Sequence, residues 1–156
     1  MLNRQVRQIY PQEAKDSQTK AFGDYSESPN IVLLGDPGAG KTYLFKQFSA
    51  FHGANYLTVR HFLSGVPIDN QKALFIDALD EKRSSHNSSD VIDGIVQRLF
   101  SQTPQKVRIS CRSQDWLGES DLSAFLPYFE QTGDMSFYIC SSYQGKSRQL
   151  FCMLMA

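Results

Sequence analysis

The chain has 156 residues, of which 41% are hydrophobic and 21% charged, and its 16 basic side chains balance 16 acidic ones. A neutral chain of this size can bury one ordinary soluble core, and it offers no electrostatic case for nucleic acid or an acidic membrane as partner. No apolar stretch approaches the roughly 18 residues of a membrane helix, and the start Met1-Leu2-Asn3-Arg4 lacks the apolar run of a signal peptide, so a cytoplasmic protein is expected.

Residues 1–29 are polar and poorly periodic, ending on Ser26, Glu27, Ser28 and Pro29, and read as a polar lead-in segment ahead of a domain over 30–156. The first strand is expected at 31–35, where Ile31, Val32, Leu33 and Leu34 run together. A helix is expected from Lys41 to about Phe51, with Leu44, Phe45, Phe48 and Phe51 spaced for one buried face. Further strands are expected at about 55–60, 73–77, 107–111 and 136–140. Over 90–101 the residues Val91, Ile92, Ile95, Val96, Leu99 and Phe100 recur at helical spacing, with Ser88, Ser89 and Asp90 as candidate caps and Pro104 as a stop. The polar stretch 81–89 reads as a loop. Apolar runs alternating with helical patterns are the signature of β-α units, and the expected fold is a three-layer α/β P-loop domain with a mostly parallel sheet. The apolar end, Leu150-Phe151-Cys152-Met153-Leu154-Met155-Ala156, would need burial against a last helix or a further domain.

Cys111, Cys140 and Cys152 are odd in number and widely spaced, which suits reduced buried thiols better than a disulfide framework. His52, His61 and His86 fall at no ligand spacing near them, so a cysteine–histidine metal site is not expected.

Three segments carry chemistry. Gly35-Asp36-Pro37-Gly38-Ala39-Gly40-Lys41-Thr42, followed by Tyr43, fits the phosphate-loop pattern G-x-x-x-x-G-K-[ST] between an expected strand and an expected helix. Glycines let consecutive amides turn toward a phosphate, the helix start adds its N–H groups and positive dipole end, and Lys41 adds a full charge. The Thr42 hydroxyl is placed to ligate magnesium. The bland alternative is a glycine-rich turn that binds nothing, in which Lys41 and Thr42 serve no packing purpose. In the second segment, Leu74-Phe75-Ile76-Asp77-Ala78-Leu79-Asp80-Glu81, an apolar strand ends in acids. Asp77 is the candidate magnesium residue at the strand tip, and Asp80 and Glu81 are candidates for polarising and orienting a hydrolytic water. Which of the two does which is open at this level, and a plain polar loop is the alternative. In the third, Val107-Arg108-Ile109-Ser110-Cys111-Arg112-Ser113-Gln114-Asp115-Trp116, Arg112 would leave its strand beside those acids and face the terminal phosphate. The alternative is an ion pair of Arg112 with Asp115 or Glu119.

In order and spacing these segments resemble the Walker A, extended Walker B and sensor 1 motifs of the STAND class of P-loop ATPases, its NACHT-like branch above all. The resemblance covers roughly residues 30–130. It implies a Mg-dependent ATP-binding and ATPase core in which Lys41 and Thr42 hold phosphates and metal, Asp77 the metal, Asp80 and Glu81 the water, and Arg112 the sensor position. It implies ATP or ADP as ligand and a homo-oligomer or partner protein as assembly, since many members are multidomain immune or antiphage defence switches. Ending at Ala156, the chain carries no winged helix or repeat array, so it is expected to be a truncated core, open on one side and weak in hydrolysis by itself. Two other readings are a nucleotide-binding assembly module without catalysis and a P-loop small-molecule kinase with Lys82-Arg83 in a basic lid. No Asn-Lys-x-Asp run that would read guanine is present.

Overall fold

The computed structural model describes residues 4–10, 19–83, 88–133 and 135–140. Among them, β-branched and aromatic runs form seven strands: β1 (Gln5–Tyr10), β2 (Thr19–Ala21), β3 (Asn30–Gly35), β4 (Asn55–Thr58), β5 (Leu74–Asp77), β6 (Val107–Arg112) and β7 (Met135–Cys140). The helices are α1 (Lys41–Phe51), α2 (Val59–Leu63), α3 (Leu79–Arg83), α4 (Ser88–Gln102) and α5 (Gly118–Thr132). One mixed sheet joins all seven strands in the order β2-β1-β7-β3-β6-β5-β4. From β7 to β4 every pairing is parallel, and β1 runs antiparallel to both β7 and β2.

Both faces of this sheet are covered, which is why its central strands read as continuous apolar runs. Alternate side chains sort into two cores. Val32, Leu34, Leu74, Ile76, Val107, Ile109 and Phe137 face α2, α4 and α5, where Phe62, Ile92, Ile95, Leu99, Phe125 and Tyr128 pack on them. Ile31, Leu33, Phe75 and Tyr138 face the other way, against Leu44, Phe45 and Phe48 of α1. The result is a three-layer α/β fold.

Several expectations change. The segment 1–29 is more than a polar lead-in: it contributes β1, β2 and a single turn of 3-10 helix over Phe22–Tyr25, and it buries Val6, Ile9 and Phe22. Phe22 reaches α1, with its ring 5.0 Å from that of Phe48 in edge-to-face contact. Phe51, assigned to the buried face of α1, is 71% exposed because it sits past the turn that meets the sheet. The strand expected over 55–60 stops at Thr58, whose hydroxyl accepts the His61 N–H at 3.3 Å and so caps α2. Within 81–89, residues up to Arg83 belong to α3 and Ser88 and Ser89 lie inside α4; residues 84–87 lie outside the described ones. Lys82 and Arg83 are therefore helical rather than part of a loop.

No element was expected over α5, which Gly118 opens and in which Pro127 interrupts the hydrogen-bond ladder. Burial of Phe125, Tyr128 and Phe129 outweighs that loss, and the Asp121 carboxylate accepts the Leu117 N–H at 2.7 Å at the helix start. Phe100 is partly exposed and meets Tyr128 edge-on at 5.4 Å. Cys111 and Cys140 are buried thiols, as the sequence led us to expect. His52 and His61 are exposed, while His86, Cys152 and the apolar end 150–156 lie outside the described residues.

Candidate functional site

The loop between β3 and α1 is shaped by its glycines. Gly38 and Gly40 have φ of 80° and 82°, a region in which a side chain is strained, and Gly40 is the residue from which α1 starts. The Ala39 N–H closes a turn on the Asp36 carbonyl at 3.1 Å, and the Gly40 carbonyl accepts the first helical bond from Leu44 at 3.0 Å. Buried Ala39 anchors the loop, whereas Asp36, Pro37, Gly38, Thr42 and Tyr43 are exposed. Lys41 folds back over this turn and donates from Nζ to the carbonyls of Gly35 at 2.7 Å and Asp36 at 3.1 Å. Its charge is thereby held at the mouth of the loop by neutral acceptors, which a more strongly accepting anion can replace.

Register brings the other segments to the same sheet edge. Gly35 lies beside Arg112 on β6, and on the next strand Ile76 pairs with Ile109, so Asp77 stands level with Ser110. Asp77 is only 2% exposed, and both carboxylate oxygens are engaged: Oδ1 accepts the Ser110 hydroxyl and Oδ2 accepts the Tyr56 hydroxyl at 2.8 Å. Ser110 Oγ in turn accepts the Ala78 N–H at 3.0 Å. Burial, then the hydrogen bond to Asp77, then the charges of Asp77 and Glu81 push the Tyr56 hydroxyl well above its ordinary value, so it stays a donor. Two donors fix the carboxylate plane, and each oxygen keeps a lone pair for a water. Ser110 and Tyr56 are neighbours of Asp77 that the motif reading missed. The readable signal was Ser110 itself, a small hydroxyl between the apolar Ile109 and Cys111 of β6.

After Asp77 the chain turns at once, with Ala78 at φ 63°, and this places Asp80 and Glu81 in α3 beside the end of β6. Asp80 reaches Arg112 twice: Oδ1 accepts its backbone N–H at 3.1 Å, and Oδ2 pairs with its Nε at 2.9 Å. Asp80 is 8% exposed and Arg112 43%, so the carboxylate is sunk while the guanidinium reaches outward. Arg112 thus pairs with Asp80. This contact uses Nε of the guanidinium. Glu81 is exposed, and its field reaches Tyr56.

The second arginine of β6 has another task. Arg108 is buried on the α1 face, and its guanidinium donates to the carbonyls of Pro29 at 2.9 Å, Ser26 at 3.0 Å and Val107 at 3.1 Å, tying the approach to β3 onto the opposite edge of the sheet.

Among the described residues no group of three or more His, Cys, Asp or Glu forms a ready cation cage. A magnesium ion would therefore need phosphate oxygens and water in addition to Thr42 and Asp77, the usual way this ion is held. No helix among the described residues is long and apolar enough to cross a membrane. No protein-family model matches the chain, and no curated protein matches it.

Proposed function

We propose that the chain binds Mg-ATP at the loop 35–42 and hydrolyses it slowly, as the core of a STAND- or NACHT-like signalling or defence ATPase. The observation that carries this reading is the meeting of three segments at one sheet edge: a loop with left-handed glycines at 38 and 40, the clamped Asp77, and the Asp80–Arg112 pair. Each of them alone has a bland explanation. Together they supply main-chain donors and cations for phosphates, an acid for the metal shell, and an acid near the position of attack.

In the proposed reaction the amides of Asp36 and of residues 38–42, together with Lys41 Nζ, receive the phosphate oxygens, with Lys41 exchanging the Gly35 and Asp36 carbonyls for them. Magnesium carried in with the nucleotide would neutralise charge on the outer phosphates, with Thr42 and Asp77 as its protein contacts. Asp80 holds Arg112, whose terminal nitrogens are directed to the charge that grows on the transferred phosphoryl group. With both Asp80 oxygens taken by Arg112, Glu81 is the residue we assign to the attacking water, as the base that orients it.

The test is a calorimetric titration with Mg-ATP combined with an assay of phosphate release. Lys41→Ala is expected to weaken binding at least about 10-fold, the loss of a charge-assisted contact. Glu81→Gln is expected to leave binding within about threefold and to slow release by about 100-fold or more. A well-folded wild-type chain that takes up no Mg-ATP ends the proposal, and a Glu81→Gln variant that hydrolyses like the wild type removes Glu81 from the mechanism.

A further inference from the structure

We infer that Arg4 is a second cationic ligand of the polyphosphate, delivered to the loop by β1, which runs against the parallel strands. This rests on the reading of residues 35–42 as a phosphate site. In a sheet whose parallel strands all end at the ligand edge, an antiparallel neighbour begins there. Val6 of β1 pairs with Cys140, the last residue of β7, and Leu34 pairs with Ile139 on the other side of β7. Arg4, two residues ahead of Val6, therefore stands beyond the end of β7, level with the loop that follows Gly35.

Its guanidinium lies on the loop itself. A Cβ placed on Gly40 would come within 2.8 Å of Arg4 Nη2 and 3.0 Å of its Nε and Cζ, so the flat face of the cation occupies the space this glycine leaves empty. The backbone there is pinned, since the Arg4 carbonyl accepts the Phe22 N–H at 2.9 Å. Nε is buried and makes no hydrogen bond, and no carboxylate pairs with Arg4 among the described residues.

Lys41 and Arg4 also converge: burial pushes the Cys140 thiol up to about 11, and both cations act on that thiol in the opposite sense. Two like charges at one loop, one of them with a buried donor left unmade, are disfavoured until an anion arrives. A phosphate oxygen pair matches the guanidinium fork, and it would turn an unfavourable arrangement into a charge-assisted one.

The experiment compares the wild type with Arg4→Gln, Arg4→Lys and Lys41→Ala by calorimetry with Mg-ATP and with inorganic pyrophosphate, together with nucleotide-free thermal melts. Arg4→Gln is expected to weaken both ligands by about 10- to 100-fold with a melting temperature equal to or above that of the wild type, and Arg4→Lys to recover part of the affinity. If Lys41→Ala loses binding while Arg4→Gln binds as the wild type does, the role of Arg4 is overturned and the phosphate site stands. Equal affinities for Arg4→Lys and Arg4→Gln overturn it as well, because charge then plays no part. A melting temperature that falls in Arg4→Gln with unchanged affinity assigns Arg4 to structure alone. A wild-type chain that binds neither ligand removes the phosphate site and Arg4 together.

Discussion

The Asp80–Arg112 contact joins two residues whose sequence patterns point to separate tasks, one for water and one for phosphate. One carboxylate holds both the main-chain amide that ends β6 and the side chain that leaves it, so the aim of Arg112 depends on Asp80. Asp80→Ala is expected to destabilise the fold by about 1–2 kcal/mol, most of it from the partly buried amide, because the half-exposed ion pair is screened. Urea midpoints of Asp80→Ala, Arg112→Ala and the double variant check this. Additive losses would mean that the two side chains do not act as a unit.

Cys140 gives a pH dependence. Its thiol has an ordinary value of 9.0 and is pushed up to about 11 in the fold, chiefly by burial. Above pH 9.0 the unfolded chain loses this proton while the folded chain keeps it. The contribution, on the order of 2 kcal/mol, is therefore complete below that value and is lost as pH rises through about 11. Stability measured by urea should fall across this window, and Cys140→Ala should flatten the fall. Tyr25 and Tyr56, also held above their ordinary value of 10.0, add a slope of the same sign at higher pH.

Helix α1 ties the phosphate loop to the sheet through aromatic side chains. Phe45 is fully buried and meets Phe75 edge-on at 5.1 Å, while Phe51, about one and two-thirds turns further on, faces solvent. Phe45→Ala is expected to lower stability by about 3–5 kcal/mol and Phe51→Ala by less than about 0.5 kcal/mol. Thermal or urea unfolding of the pair tests whether the helix ends its contact where the structure puts it. Spacing along α1 predicted both residues to be buried, because periodicity reports a face of the helix and not how far the sheet extends beneath it. Over α5 no element was expected, and the helix forms there because burial of Phe125, Tyr128 and Phe129 outweighs the poor helix propensity of Gly118 and Pro127.

The segment before β3 belongs to the fold as a whole. It extends the sheet past β7, closes the core over α1 with Phe22 and Val6, and carries Arg4 to the loop. Phe22→Ala should therefore cost about 3 kcal/mol or more, whereas in a detached lead-in the same change would leave the denaturation midpoint where it was. Short polar strands such as Thr19–Ala21 have too little pattern to be read locally, and they exist because an edge of the sheet is there to receive them.

The α/β class, the parallel strands and the phosphate-loop pattern were all legible in the linear chain, because apolar runs, glycine positions and a consecutive octapeptide are local signals. The partners of the site residues were not. Asp77 with Ser110 and Tyr56, Asp80 with Arg112, and Arg4 with Gly40 are separated by long stretches of chain, and only strand order and register bring them together. A linear chain carries the identity of each charged group, while its neighbours, and hence its charge state and aim, follow from which strands lie side by side.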